Sequence, residues 1–276
     1  MIVSEALRSA TQRLSATSDT ARLDAELLMA QALDASRSDM LLRHMLDPEP
    51  SGFARLIDRR ASHEPVAYIL GKAEFYGREF AVNPAVLIPR GDSESVIEAA
   101  LNNTREQGRV LDMGTGSGVL LLTMLAERPG LSGVGIDASA DALSVAASNA
   151  ENLGLADRAD MRLADWTKPG WSDDLGRFDL IVCNPPYVDP DADLDADVRE
   201  FEPASALFAQ NKGLADYEKI IPQLGNLLSE MGVSILEIGR DQAQTVAKIA
   251  AESGYNAELG YDLAKRPRLL RLTRVN

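Results

Sequence analysis

The chain has 276 residues, 45% of them hydrophobic and 25% charged, a composition that supports a sizeable core and, at this length, about two domains. Disordered, collagenous and low-complexity classes are excluded. Lys+Arg 28 against Asp+Glu 42 gives a net charge of −14, so the averaged field repels phosphate backbones and anionic lipid and argues against stable nucleic-acid binding.

One cysteine, Cys183, and two histidines, His44 and His63, supply neither an internal disulfide nor a zinc cluster, so no metal site and a cytoplasmic location are expected. The opening MIVSEALRSATQRL lacks the basic and apolar order of a secretory signal. The longest apolar stretch, around Val119 to Ala126, falls far short of the roughly 20 residues that cross a bilayer, so no membrane association is expected. No large exposed apolar stripe is evident, and a monomer is expected.

Residues 1–73 carry helical spacing: Leu7, Ala10 and Leu14; Leu23, Leu27, Ala30 and Leu33 after an Asp19-Thr20 start; Met40, Leu41 and Leu42; then a helix from about Ser51 to Ser62. The spacing predicts a small N-terminal helical domain. Over 74–90, EFYGREFAVNPAVLIPR has two strand-like apolar runs flanking turn residues Gly77 and Asn83-Pro84, the pattern of a β-hairpin linking two domains. From 91 to 276, strand patterns alternate with helical stretches: Val110-Leu111, Gly133 to Ile136, Ala159 to Leu163, Phe178 to Val182 and Val233 to Ile238. Such alternation predicts an α/β domain whose parallel sheet is covered by helices on both faces. Tyr255 to Leu259 and Leu269 to Thr273 read as a closing antiparallel hairpin, which makes the sheet mixed and seven-stranded.

Where the first strand should turn into a helix stand Gly114-Thr115-Gly116-Ser117-Gly118. Glycine tolerates positive φ and lacks a Cβ, so a ligand can lie against this backbone, and the N–H groups opening the next helix favour a carboxylate or phosphate. Asp137 closes the second strand 19 residues after Gly118, a position from which an acid reaches ribose hydroxyls. The dinucleotide fingerprint is G-x-G-x-x-G; here the third glycine comes one residue early, a spacing that favours S-adenosylmethionine. Asp165 and Trp166, after the third strand, would add an acceptor and a flat apolar face for adenine, although core packing explains Trp166 equally well.

The fourth strand runs directly into Asn184-Pro185-Pro186-Tyr187 at its carboxyl end, where open α/β sheets hold ligands. Asn184 offers a side-chain carbonyl, Pro185 a backbone carbonyl in a stiff loop, and Tyr187 a face for a planar group. Two acceptors can hold one NH2. A conjugated NH2 is a poor nucleophile, and the acceptors would orient it, stabilise positive charge on nitrogen and favour pyramidalisation. These residues suit methyl transfer to a planar amino group, on a protein amide or on a nucleic-acid base (adenine N6 or guanine N2), and the motif alone does not separate the two. A base must be extruded by a surface that favours phosphate, which a charge of −14 opposes.

Asn-Pro-Pro-Tyr after a Gly-Thr-Gly-Ser-Gly loop resembles the amino-methyltransferases. Together with Glu64 to Gly71 (EPVAYILG), Glu74 to Gly77 (EFYG), Leu87 to Arg90 (LIPR) and Phe201-Glu202-Pro203, the chain resembles the bacterial release factor glutamine methyltransferases over nearly its whole length. The resemblance implies a Rossmann-like class I methyltransferase domain and transfer from S-adenosylmethionine to the glutamine amide nitrogen in the Gly-Gly-Gln motif of class 1 peptide chain release factors. It further implies that Gly114 to Gly118, Asp137, Trp166 and Asn184 bind the donor, that Asn184, Pro185, Pro186 and Tyr187 hold the glutamine, and that the helical domain and hairpin dock the factor. The family usually has Arg-Pro-Asp-Thr-Glu where this chain has Arg90-Gly91-Asp92-Ser93-Glu94, and Gly91 is expected to loosen that loop.

Three further features invite function and are read otherwise. Asp189, Asp191, Asp193 and Glu200 have EF-hand-like spacing, but Leu194 replaces the glycine and no helix precedes them, so they read as a solvated acidic loop. Lys265, Arg266, Arg268, Arg271 and Arg274 read as solvated charges near a terminal hairpin. Cys183 reads as core.

Overall fold

The computed structural model describes residues 1–275. They divide into two compact units: Met1–Lys72 with Leu194–Phe201, and Ala73–Asp193 with the chain from Glu202 onward.

The first unit is helical: α1 (Val3–Leu14), α2 (Ala21–Ala32), α3 (Arg37–Arg43), α4 (Phe53–Ala61), α5 (Val66–Leu70) and, from far along the chain, α9 (Ala196–Phe201). Leu7, Leu14, Leu28, Met29, Met40 and Ile57 form its core. On α2 the buried face differs from the expected one. Leu23 is exposed, as is Leu42 of α3, and the core face runs through Ala21, Ala25, Leu28 and Met29. Of the expected Leu23, Leu27, Ala30 and Leu33, Ala30 is in the core, Leu27 and Leu33 are half-buried and Leu23 faces out, because the neighbouring helices select a face centred on Ala25, Leu28 and Met29. Arg60 is buried and donates from Nε to Asp24 (2.7 Å), with its Nη1 3.5 Å from Asp197 of α9.

The second unit opens with β1 (Lys72–Phe75) and β2 (Arg78–Ala81), which pair as a two-stranded sheet. Tyr76 (φ 50°) and Gly77 (φ 71°) both have positive φ, as a two-residue turn of the primed type requires. The second apolar run, Ala85 to Ile88, is not a strand; Pro84 and Pro89 cannot donate to a ladder, and the segment instead borders a cavity. Phe75 and Phe80 pack into the core of this unit. Buried Asn149 accepts from the Ala81 amide and donates to the carbonyls of Ala81 and Ser117, tying the hairpin to the glycine loop.

The remaining elements are α6 (Glu94–Asn102), β3 (Gln107–Met113), α7 (Val119–Glu127), β4 (Gly130–Asp137), α8 (Ala140–Asn152), β5 (Ala159–Leu163), β6 (Phe178–Cys183), the short α10 (Ala204–Leu207) and α11 (Gln210–Gly213), α12 (Ala215–Leu227), β7 (Leu228–Glu237), α13 (Ala243–Glu252), β8 (Tyr255–Tyr261) and β9 (Pro267–Arg274). The seven-stranded sheet has the order β5-β4-β3-β6-β7-β9-β8. Its first five strands are parallel, and β9 inserts antiparallel between β7 and β8. The expected mixed α/β sheet is therefore present, as is the closing hairpin. The strand order reverses between β3 and β6, so the crevice for a ligand lies outside their carboxyl ends. Among the described residues no helix is long and apolar enough to cross a membrane.

Candidate active site

Sheet register assembles the site. Met113 pairs with both Ile136 and Cys183, and Cys183 pairs with Leu236. The next residue on each strand is Gly114, Asp137, Asn184 and Glu237, so residues more than 120 positions apart in sequence leave the sheet in one row.

The turn after β3 needs its glycines: Gly114 (φ 74°), Gly116 (φ 55°) and Gly118 (φ 82°) all lie in the left-handed region. Asp137 fixes the loop, accepting the Gly116 amide (3.0 Å) and the Ser139 amide (2.9 Å). Thr115 turns its hydroxyl away, donating to buried Asp112 (2.7 Å). Gly118 caps α7, and a Cβ there would sit 2.9 Å from Leu122.

Trp166 lies over the loop, its ring 3.3 Å from where a Cβ on Gly114 would be. Its indole N–H donates to Asp216 of α12 (2.9 Å), and Gln223 donates to its carbonyl. Asp165 accepts the hydroxyl and the amide of Thr167, which hold its carboxyl below the usual range.

These groups border a cavity of about 360 Å³. Gly114 to Ser117, Asp137, Asp165 and Trp166 line it together with Leu87, Pro89, Arg90, Ser93, Asn184 and Pro186. Of the residues expected from sequence, Gly118, Pro185 and Tyr187 do not line it. The Asn184 amide makes no side-chain hydrogen bond among the described residues and borders the cavity. Pro185 is buried, and Tyr187 turns its hydroxyl inward to Glu237 (3.3 Å). Burial, and then the Glu237 charge, push the Tyr187 phenol above its ordinary range. Burial also pushes the Cys183 thiol well up, consistent with a core side chain.

The cavity suits S-adenosylmethionine in size and chemistry. A Cβ on Gly116 would meet no protein atom within 4 Å, so the loop backbone is open to a ligand. Asp137, Asp165 and Asp216 offer carboxylate oxygens to hydroxyl and amino groups, and Trp166 offers a flat apolar face.

Four contributors escaped the sequence reading. Asp216 comes from a helix with no local motif; Glu202 stands in the Phe201-Glu202-Pro203 motif without an assigned role, and it accepts the Arg90 guanidinium (2.5 Å) and the Ile88 amide (3.1 Å). Glu237 did carry a signal, because an acid closing a buried strand is the pattern that drew attention to Asp137. Arg268 corrects the solvated-charge reading of the C-terminal basic run. Its side chain is only 12% exposed, and it pairs with Asp92 at 2.7 Å and stands 3.8 Å from Glu237. Arg266 likewise pairs with Asp262 and Asp92. Gly91 does not loosen its loop, since the neighbouring Asp92 and Ser93 are both anchored, Ser93 to Glu237 at 2.6 Å.

Asp112 carries a pH-dependent share of stability. Burial pushes its carboxyl up from 3.8 to about 7, against the Thr115 hydroxyl and the Leu121 amide, which favour the anion. The folded state binds this proton more tightly than the unfolded chain does. Its stabilising effect is therefore complete below about pH 4 and is lost as pH rises through about 7, about 4 kcal/mol in all. Asp112→Asn keeps a carbonyl for both donors and cannot ionise. Urea unfolding followed on Trp166 and Trp171 fluorescence should show the parent losing about 2–3 kcal/mol relative to the variant between about pH 5 and pH 8. Parallel pH profiles would refute the assignment.

Residues 5–71 match the family model described as PrmC N-terminal domain, and residues 93–270 match that described as Methyltransferase domain. The chain is 40% identical over 250 residues to the release factor glutamine methyltransferase of Nitratidesulfovibrio vulgaris, covering 88% of this chain and 84% of that protein. It is also 40% identical over 256 residues to the release factor glutamine methyltransferase of Bradyrhizobium diazoefficiens, again with 88% and 84% covered. The fold is shared with the ribosomal protein L11 methylase of Lactobacillus delbrueckii subsp. bulgaricus, at a TM-score of 0.51 and 21% identity over 71% of this chain and 84% of that one. With its α/β unit carrying the methyltransferase glycine loop and its helical unit matching the N-terminal model, the chain belongs to the release factor glutamine methyltransferase family.

Proposed function

We propose that this protein methylates the side-chain amide nitrogen of the glutamine in the Gly-Gly-Gln motif of class 1 peptide chain release factors, using S-adenosylmethionine. The observation that carries the reading is the unbonded Asn184 amide at the cavity edge, in one row with the glycine loop and Asp137. Bound there, S-adenosylmethionine supplies a methyl group on a positively charged sulfur.

The chain's own residues do the rest. Asp137 and the backbone of Gly114 to Gly118 hold the donor, with Asp165 and Trp166 at its adenine end. The Asn184 side-chain carbonyl and the Pro185 backbone carbonyl accept the two hydrogens of the glutamine NH2, which fixes the nitrogen and stabilises positive charge on it. Pro186 and Tyr187 complete the stiff loop. The proton displaced from nitrogen leaves to solvent, so no base is required of the protein.

The helical domain (1–73) and the hairpin segment (74–90) dock the factor, and 91–276 is the methyltransferase domain, with Leu87, Pro89 and Arg90 of the preceding segment bordering its cavity. A substrate used in translation implies a cytoplasmic enzyme, here acting as a monomer. The test incubates the protein with labelled S-adenosylmethionine and a class 1 release factor, its Gly-Gly-Ala variant, or DNA. Label on the intact factor alone is the expected result. Label on DNA, or equal label on both factors, would overturn the substrate and favour the nucleic-acid amino-methyltransferase reading.

A further inference from the structure

The loop at residues 184–187 has an anchoring problem. Pro185 and Pro186 have no N–H, so two of its four residues cannot donate a backbone hydrogen bond, yet two carbonyls must be held still for the chemistry proposed above. Asn184 is fixed by following β6 directly. The far end is tied at Val188, whose amide donates to the Leu207 carbonyl (2.9 Å) and whose carbonyl accepts the Ala209 amide (3.0 Å), and at Tyr187, which is held at two points. Its carbonyl accepts from Gln242 Nε2 (3.0 Å) and presses against Gly213, where a Cβ would lie only 2.0 Å from that oxygen. Its hydroxyl reaches Glu237 Oε1 (3.3 Å).

Glu237 is 1% exposed and surrounded by donors. Oε2 accepts the Ser93 hydroxyl (2.6 Å), and Arg268 Nη1 lies 3.8 Å from Oε1 and 3.5 Å from the Tyr187 hydroxyl. Arg268 is itself held by Asp92 (2.7 Å), and the Glu237 carbonyl accepts the Tyr217 hydroxyl (2.7 Å). Ser93 also lines the cavity. A buried carboxylate, here with the like charge of Asp92 also acting on it, is costly to keep unless its donors are fixed, and they come from three separate stretches of chain.

Resting on the function proposed above, we infer that Glu237 is a positioning residue for methyl transfer: through the Tyr187 hydroxyl it locks the Asn184–Tyr187 loop, with Ser93 and Arg268 fixing Glu237 in turn. Glu237→Gln places an NH2 against a hydroxyl donor and loosens the lock while keeping its volume.

The test is a double-mutant cycle. Glu237→Gln and Tyr187→Phe should each lower kcat about 10- to 100-fold, because a small misplacement of a reacting group costs that much, with the dissociation constant for S-adenosylmethionine unchanged. The double variant should be no worse than the poorer single one, because both break the same link. Multiplicative losses would overturn the inference. Ser93→Ala, a milder change that leaves the core volume nearly intact, should give a smaller loss that also vanishes in the Tyr187→Phe background. A second readout needs no activity. With 3-fluorotyrosine at the six tyrosines, the fluorine resonance that disappears in Tyr187→Phe should shift or broaden in both Glu237→Gln and Ser93→Ala. An unmoved resonance refutes the lock. If the parent protein labels no release factor, the function above fails, while the fluorine spectra still decide whether Glu237 positions Tyr187.

Discussion

Asn184→Ala should lower kcat for methylation of a release factor about 10²- to 10³-fold, the usual cost of removing one preorganised group that stabilises charge in the transition state. The position allows a clean test. The Asn184 amide bonds to no other side chain or backbone group among the described residues, so truncation leaves no buried partner unsatisfied. Unfolding stability should therefore stay within about 0.5 kcal/mol, and affinity for S-adenosylmethionine, which the proposed function assigns mainly to the glycine loop and Asp137, should change less than about tenfold. Asn184→Gln adds the control that separates chemistry from position: the same amide displaced by one methylene should still lose activity at least about tenfold. A variant with alanine that keeps more than about a fifth of the parent kcat would remove Asn184 from the reaction.

What could be read from sequence here follows the range of the interactions. Strands β3, β4 and β6 carry short apolar runs ending in turn chemistry, β5 alternates apolar with charged residues, and both the glycine loop and Asn184-Pro185-Pro186-Tyr187 are contiguous in the chain. Local pattern suffices for such features, and their convergence at the carboxyl ends follows from a parallel sheet. The remainder depends on pairing across long separations. Arg268 looked like one of several surface charges, because nothing within five residues reveals that β9 inserts beside β7 and brings it to Glu237 and Asp92. Asp92 and Ser93 stand in a loop that Gly91 is expected to loosen. In the fold they are anchored to Arg268 and Glu237, and a Cβ on Gly91 would meet nothing within 4 Å. The exposed Leu23 shows the same limit within a single helix: periodicity proposes a face, and the partner helix chooses it.

Arg60→Met should open the helical unit by about 3 kcal/mol, the lower end of what removing one partner of a buried ion pair costs. Arg60 and Asp24 are each 7% exposed as side chains and meet at 2.7 Å. Methionine fills much of the arginine stem's volume, so the loss is chiefly electrostatic: Asp24 remains buried with its charge and keeps only the hydroxyls of Ser18 and Thr20, both at 2.8 Å. The same change frees Asp197 on α9 and the carbonyls of His63 and Glu64, which Arg60 Nη1 now meets at 3.5 and 3.4 Å. Both tryptophans lie in the other unit, so fluorescence would miss the effect. Hydrogen exchange read by mass spectrometry on the intact chain resolves it, through faster exchange in α2, α4 and α9 and no change in β3 or β4. Adding Asp24→Asn to Arg60→Met removes the stranded charge and should restore at least about half of the lost protection. If the single variant exchanges like the parent, or the second substitution only adds to the damage, the buried pair does not hold this unit together.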